Sequence, residues 1–153
     1  MKGHILLKKI QIRNFTPTTP AGDYVERKKS LRNEILGKID NIEELRKDTI
    51  EKKLYLDVCF YLNAKTGMDG DTQKDVDNLL NVVFDVLPEY FTDEQNKPIE
   101  GIGLMSGKSD YMVFEVHSSK QFVNNHEDEG MDIEIYEWVE KTSLISKIKS
   151  FFN

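Results

Sequence analysis

Long apolar runs are missing from this 153-residue chain. No stretch approaches the roughly 20 residues that a membrane span requires. Met1–Ile5 alternate and do not open the apolar block of about 7–15 residues found in signal peptides. The expectation is a cytoplasmic protein with no membrane partner. Cysteine is nearly absent as well. Cys59 stands alone, which excludes an intrachain disulfide and a cysteine-rich zinc site. It reads as a core residue. His117 and His126 have no partners at metal-ligand spacing. Positive charge is in deficit, giving a net charge of −6, where a nucleic-acid-binding domain is more comfortably basic. The deficit is uneven. Residues 1–53 carry 13 Lys/Arg against 8 Asp/Glu, and residues 54–153 carry 8 against 19. The basic part suits phosphates, and the acidic part suits cations or plain solvation.

What is present reads as one α+β domain over residues 1–140, with a tail over 141–153. Residues 4–13 alternate loosely and predict a strand. Pro17 and Pro20 with Gly22 mark a loop. In 24–50, Leu31, Ile35, Ile39, Ile42 and Leu45 form one apolar helical stripe, with a break expected near Gly37 and Asp40-Asn41. Residues 54–62 are the clearest strand. Leu54, Leu56, Val58, Phe60 and Leu62 make an apolar face, and Tyr55, Asp57, Cys59 and Tyr61 a mixed one. A loop over 63–72 leads to a helix over about 75–90 that stops near Pro88. Residues 101–105 and 111–117 predict a hairpin around the 106–110 turn. A polar loop over 124–130, with a solvated Glu127-Asp128-Glu129, precedes a last strand over 131–139. Thr142 to Phe152 predicts an amphipathic helix. The order β-α-β-α-β-β-β, plus the tail helix, implies a mixed sheet with two main helices packed on it. The first βαβ unit should pair its strands in parallel.

The segment with chemical content is Asp75-Val76-Asp77-Asn78-Leu79-Leu80-Asn81-Val82-Val83-Phe84-Asp85-Val86-Leu87. Val76, Leu79, Leu80, Val83, Val86 and Leu87 form a stripe that must be buried. Asp75, Asn78, Asn81 and Asp85 are polar on another side. Asp75 and Asp77 are two apart, a spacing that converges only where the chain is still extended at a helix start. Two carboxylates there suit a hard cation such as Mg²⁺. A single Asp would be a cap, and capping plus solvation is the plain alternative. Asp69-Gly70-Asp71 does not open a calcium loop, because Lys74 and Leu80 stand where glycine and glutamate are required.

This run resembles the D-x-D-N-x-x-K-x-x-x-D-x-L run that RusA-type Holliday-junction resolvases carry at a helix start. Asp75, Asp77, Asn78, Asp85 and Leu87 match, and the likeness covers roughly residues 52–118. It implies a homodimer that cuts a four-way DNA junction by paired nicks, with Mg²⁺ or Mn²⁺ as cofactor, in recombination and repair, often from a prophage. It implies Asp75 and Asp77 as catalytic metal ligands, with Asn78 and Asp85 supporting them. The family's lysine is Asn81 here, so the charge it brings falls to Lys74 or Lys108, or activity is weak or absent. The resemblance also implies a third acidic ligand. Asp93 is the favoured candidate and Glu100 the competing one. Arg13, Lys28, Lys29, Lys74 and Lys108 are the candidate DNA contacts; Lys8, Lys9, Arg27 and Arg32 extend the same basic face, with a solvated strand and helix face as the alternative. Ile148-Lys149-Ser150-Phe151-Phe152 resembles the core of a sliding-clamp-binding peptide, without its leading glutamine. The other function class is a non-catalytic DNA- or protein-binding module of the same fold.

Overall fold

The computed structural model describes residues 3–67 and 74–140; the tail helix expected over 142–152 and the 69–71 stretch lie outside them. In chain order come β1 (Ile5–Arg13), α1 (Tyr24–Gly37), α2 (Ile42–Thr49), β2 (Leu54–Asn63), the short α3 (Ala64–Gly67), α4 (Val76–Val86), β3 (Tyr90–Thr92), β4 (Pro98–Glu100), β5 (Val113–Val123) and β6 (Gly130–Glu137). The main sheet has the order β1-β6-β2-β5, and β3 with β4 forms a separate small hairpin. β6 is antiparallel to both β1 and β2, while β5 runs parallel to β2. The fold is therefore α+β with a mixed sheet, as the pattern predicts.

The helices cover one face. Ile10, Ile12, Met131, Ile133, Ile135 and the even-numbered residues of β2 are buried there. They meet Leu31 and Ile35 of α1, Leu45 of α2, and Leu79, Leu80, Val83 and Val86 of α4. Each helix presents one apolar stripe because it has one core to bury it in. The expected helix over 24–50 breaks at residues 38–41, where the Asn41 side chain accepts the Glu44 N–H and starts α2. The loose alternation in β1 is a register shift between Leu6 and Lys8, which moves the inward phase from odd to even positions.

Two pairings differ from expectation. β1 and β2 are not neighbours, because β6 lies between them. Buried residues on its helix side, together with Tyr136 on the other, suit β6 to the interior of the sheet. Residues 101–105 are not a hairpin strand. Ile102, Leu104 and Met105 are buried under the end of α4. The Ile102 N–H donates to the Val86 carbonyl, and those of Gly103 and Leu104 to the Leu87 carbonyl. These donors satisfy carbonyls that a helix end leaves unpaired. The apolar spacing there records burial against a helix end and no strand ladder. The hairpin that does form joins β3 to β4, and β5 pairs with β2.

The opposite face of the sheet carries Tyr55, Asp57, Cys59, Tyr61, Asp132, Glu134 and Tyr136. Cys59 is half-buried there and not in the core. Arg13 lies 4.4 Å from the Tyr61 ring centre and 3.0 Å from Asp132. The Tyr61 hydroxyl donates to Asp132, and that bond is the main reason its pKa is pushed up to about 12.

β6 begins at Gly130, whose φ is +154°; a Cβ there would stand 1.9 Å from the Ile12 carbonyl oxygen. Only glycine allows β1 and β6 to approach so closely at this point. Gly130→Ala should lower unfolding free energy by roughly 2 kcal/mol or more in urea titrations. A neutral result would mean that the β1–β6 contact yields easily.

Candidate functional site

The start of α4 faces solvent. Asp75 is its N-cap, with extended backbone (φ −82°, ψ 144°), and its carbonyl accepts the Leu79 N–H at 3.0 Å. The Asp75 side chain makes no capping bond. Asp77 stands in the first turn, where the exposed N–H groups of a helix favour negative charge. Asp75, Asp77, Asn78 and Asn81 are all exposed. Asp77, Asn81 and Asp85 follow one another at four-residue spacing along one stripe. Asn81 thus occupies the middle of an acidic row. Asp85 is half-buried, and the Tyr24 hydroxyl of α1 donates to it. Burial first, and the charge of Asp110 second, raise the Asp85 pKa above its ordinary value of 3.8.

Cations gather just before this helix. The Lys74 ammonium donates to the Pro17 carbonyl at 2.7 Å. Lys120, from β5, donates to the Lys74 carbonyl at 2.9 Å. Arg27 of α1 donates to the Thr19 carbonyl at 2.8 Å. Burial lowers the Lys74 pKa most; the charge of Glu129 acts against that and the nearby Arg27 adds to it. An ammonium has three protons and a guanidinium five. Each of these side chains is therefore anchored by one bond and keeps donors for an incoming anion.

The pattern of residues did not reveal Glu129, which is 3 % exposed and not a solvated loop residue. One carboxylate oxygen accepts the Asn63 N–H at 3.2 Å. The other lies 2.9 Å from His126 Nδ1 and 3.5 Å from the Thr16 hydroxyl. Glu129 joins the end of β2, the loop after β1 and the turn before β6 beneath Lys74. Lys120 was likewise not singled out from the sequence, whereas Arg27 belongs to the basic residues read there as a possible DNA face. Nothing local marks the roles of Glu129 and Lys120, since Asn63 and Lys74 lie 66 and 46 residues from them.

Several expected site residues are committed elsewhere. Asp93 closes the β3–β4 turn, its Oδ1 accepting the Gln95 and Lys97 N–H groups at 2.9 and 2.8 Å. Glu100 is exposed at the far end of α4, 3.5 Å from Arg46, in the wall of a cleft of about 360 Å³. Lys28 is buried between the rings of Tyr24 and Phe91, which removes it from any DNA face. Arg13 is held by Asp132, and Lys29 pairs with Glu26 at 3.3 Å. Lys108 is exposed in the 106–110 turn. His117 lies 3.2 Å from Asp57. Among the described residues, no three His, Cys, Asp or Glu side chains gather closely enough to hold a metal ion.

No protein-family model, curated protein or solved structure matches this chain at a significant level.

Two expectations follow. Glu129→Ala would remove the buried carboxylate that accepts the Asn63 N–H and faces His126, at a cost of roughly 2 kcal/mol; equilibrium unfolding should show it, and an unchanged midpoint would mean the cluster is dispensable. Asp85 has its pKa raised by folding, so the stability it contributes is complete below its ordinary pKa and is lost as pH rises through the folded value. Asp85→Asn keeps an acceptor for Tyr24 and removes the charge. Unfolding curves at about pH 4 and about pH 7 should show a smaller drop for the variant than for the parent. An equal drop in both would place the pH dependence elsewhere.

Proposed function

We propose that this protein is a metal-dependent endonuclease of the RusA type that acts on branched DNA, with its chemistry at the start of α4. One observation carries the reading. Asp75 and Asp77 are exposed carboxylates with no hydrogen-bond or ion-pair partner among the described residues, and they follow directly on a cluster of Arg27, Lys74 and Lys120. Carboxylates kept for capping or for ion pairing would be engaged. These stand free at the place where the sequence resembles the resolvase run.

The donor set fits a hard divalent cation in type and number. Mg²⁺ is commonly held by one or two carboxylates, with water and substrate phosphate completing its shell. Asp75 and Asp77 would hold it, and it would polarise the scissile phosphate and acidify an attacking water. The rest of the task falls to the chain. Lys74 and Lys120 would bind phosphate oxygens through their spare protons, making affinity fall with salt. Arg27 would clasp a phosphate with two parallel donors. Asp85, fixed by Tyr24, would hold the polar stripe of α4 in place. Asn81 can hydrogen-bond a phosphate but supplies no positive charge.

That last point favours a second reading, a module that binds branched DNA without cutting it. A labelled four-way junction with Mg²⁺ or Mn²⁺ separates the two. Cleavage that falls by about a hundredfold or more in Asp77→Asn, at least the loss expected when even a ligand's supporting partner is changed, supports the nuclease. Binding without cleavage, with activity appearing only in Asn81→Lys, supports the binding module. Absence of both binding and cleavage ends the nucleic-acid reading.

A further inference from the structure

A cleft opens beside β1, at an edge of the main sheet. β1 pairs with β6 alone among the described residues, so its other side has no strand against it. Leu7 is the extra residue of the bulge near its start. From Lys8 to Arg13 the strand is regular, opposite Ile135 to Gly130 of β6. The outward N–H and C=O groups of such a stretch are a template for another strand.

The cleft has a volume of about 290 Å³ and lies between β1 and α2. Leu7, Ile39 and Leu45 line it with apolar surface, and all three pack into the core. Lys8, Asp40, Glu44 and Asp48 line it with charge. The three carboxylates are exposed, and none has a side-chain hydrogen bond or ion pair among the described residues. Glu43, next to Glu44, is by contrast held by Arg46 at 2.6 Å. The further cations of β1 are engaged on the other face of the sheet, Lys9 by Glu134 and Arg13 by Asp132. Three acids thus face one lysine, and the cleft is negative over an apolar floor.

We propose that this cleft and the adjoining edge of β1 receive an extended basic segment of a separate protein. The segment adds a strand along Lys8–Arg13, and one of its arginine or lysine side chains enters the cleft. In pairings of this kind main-chain bonds give affinity, and pockets for alternate side chains give specificity. The stem of the basic side chain lies on Leu7, Ile39 and Leu45, while its head meets Asp40, Glu44 and Asp48. An acidic segment would meet like charge at the same place, which is how the cleft selects.

The inference does not rest on the nuclease reading. No residue lining the cleft belongs to the start of α4 or to the cluster of Arg27, Lys74 and Lys120. The segment and a phosphate ligand would be bound by different residues.

Nuclear magnetic resonance of the full chain with a short peptide of alternating valine and arginine tests it. Amide shifts are expected on Lys8–Arg13 and on α2. Methylating alternate backbone nitrogens of the peptide should abolish binding in the phase whose N–H groups face β1, and spare it in the other. The same peptide with glutamate for arginine should not bind. Glu44→Lys with Asp48→Lys should weaken binding about tenfold or more. Glu94→Lys with Glu127→Lys makes an equal change of charge at exposed positions elsewhere and should not. Circular dichroism would show that both variants are folded. Equal losses in the two double variants overturn the proposal, because general attraction to an acidic chain would explain them. Binding that both methylated peptides retain overturns it too, since no strand would then be added. So does absence of binding, or shifts that leave β1 untouched. Junction cleavage enters none of these outcomes, so loss of the nuclease reading would leave them unchanged.

Discussion

β6 is inserted between β1 and β2, and the rest of the molecule is arranged around that insertion. It brings the last described strand into the middle of the sheet and makes antiparallel ladders on both sides. Met131, Ile133 and Ile135 then complete the core face between the residues of β1 and β2. The insertion also fixes Glu129, one residue before the strand. Gly130 lets β6 begin hard against Ile12, and the carboxylate of Glu129 is thereby delivered to Asn63, Thr16 and His126. A buried carboxylate is costly unless fully partnered. Here its partners are the ends of the very elements whose relative placement it records. Lys74 then sits within the field of the Glu129 charge, and the approach to α4 is held by the bonds from Lys120 and to Pro17.

How much of this was legible in the sequence depends on the range of the interaction. β2 and α4 were plain, because burial of one face imposes a period of two or of about 3.6 on neighbouring residues. The break between α1 and α2 was marked by Asn41, a capping residue acting on its own neighbour. Partner choice carried no such mark. The β1–β6 ladder joins residues more than a hundred positions apart, and a right-handed βαβ unit is satisfied equally well when another strand lies between its two strands. Residues 101–105 are ambiguous in the sequence for a different reason. Burial against a helix end and burial in a ladder both place apolar residues at short intervals, and only the destination of the backbone donors separates them.

The site was legible in the same uneven way. Asp75 and Asp77 stand out because two acids at a helix start exceed what a cap requires, and both are exposed and without a side-chain partner among the described residues. Asp93 was misleading because an aspartate that closes a turn looks like a free acid in a sequence. Its Oδ1 is occupied by two N–H groups. Lys28 was misleading in the opposite sense. A lysine in a charged helix reads as solvated, yet its stem and ammonium lie between two aromatic rings, where burial lowers its pKa.

A net charge of −6 argues against binding a polyanion only if the charge is spread evenly. Phosphate feels mainly the charges within about a Debye length, roughly 8–10 Å at ordinary ionic strength. Near the start of α4 the balance is set by Arg27, Lys74 and Lys120 against Asp75, Asp77 and the buried Glu129. The Glu129 charge acts on Lys74 from nearby, so part of that lysine's charge is offset within the fold. The patch is therefore close to neutral on its own, and would become positive if a divalent ion joined the two aspartates as proposed. Binding of phosphate would in that case depend on the metal, whether or not cleavage follows. An acidic chain is then no obstacle to the reading. On the proposed reading, the metal would be the switch for affinity as well as the source of the chemistry.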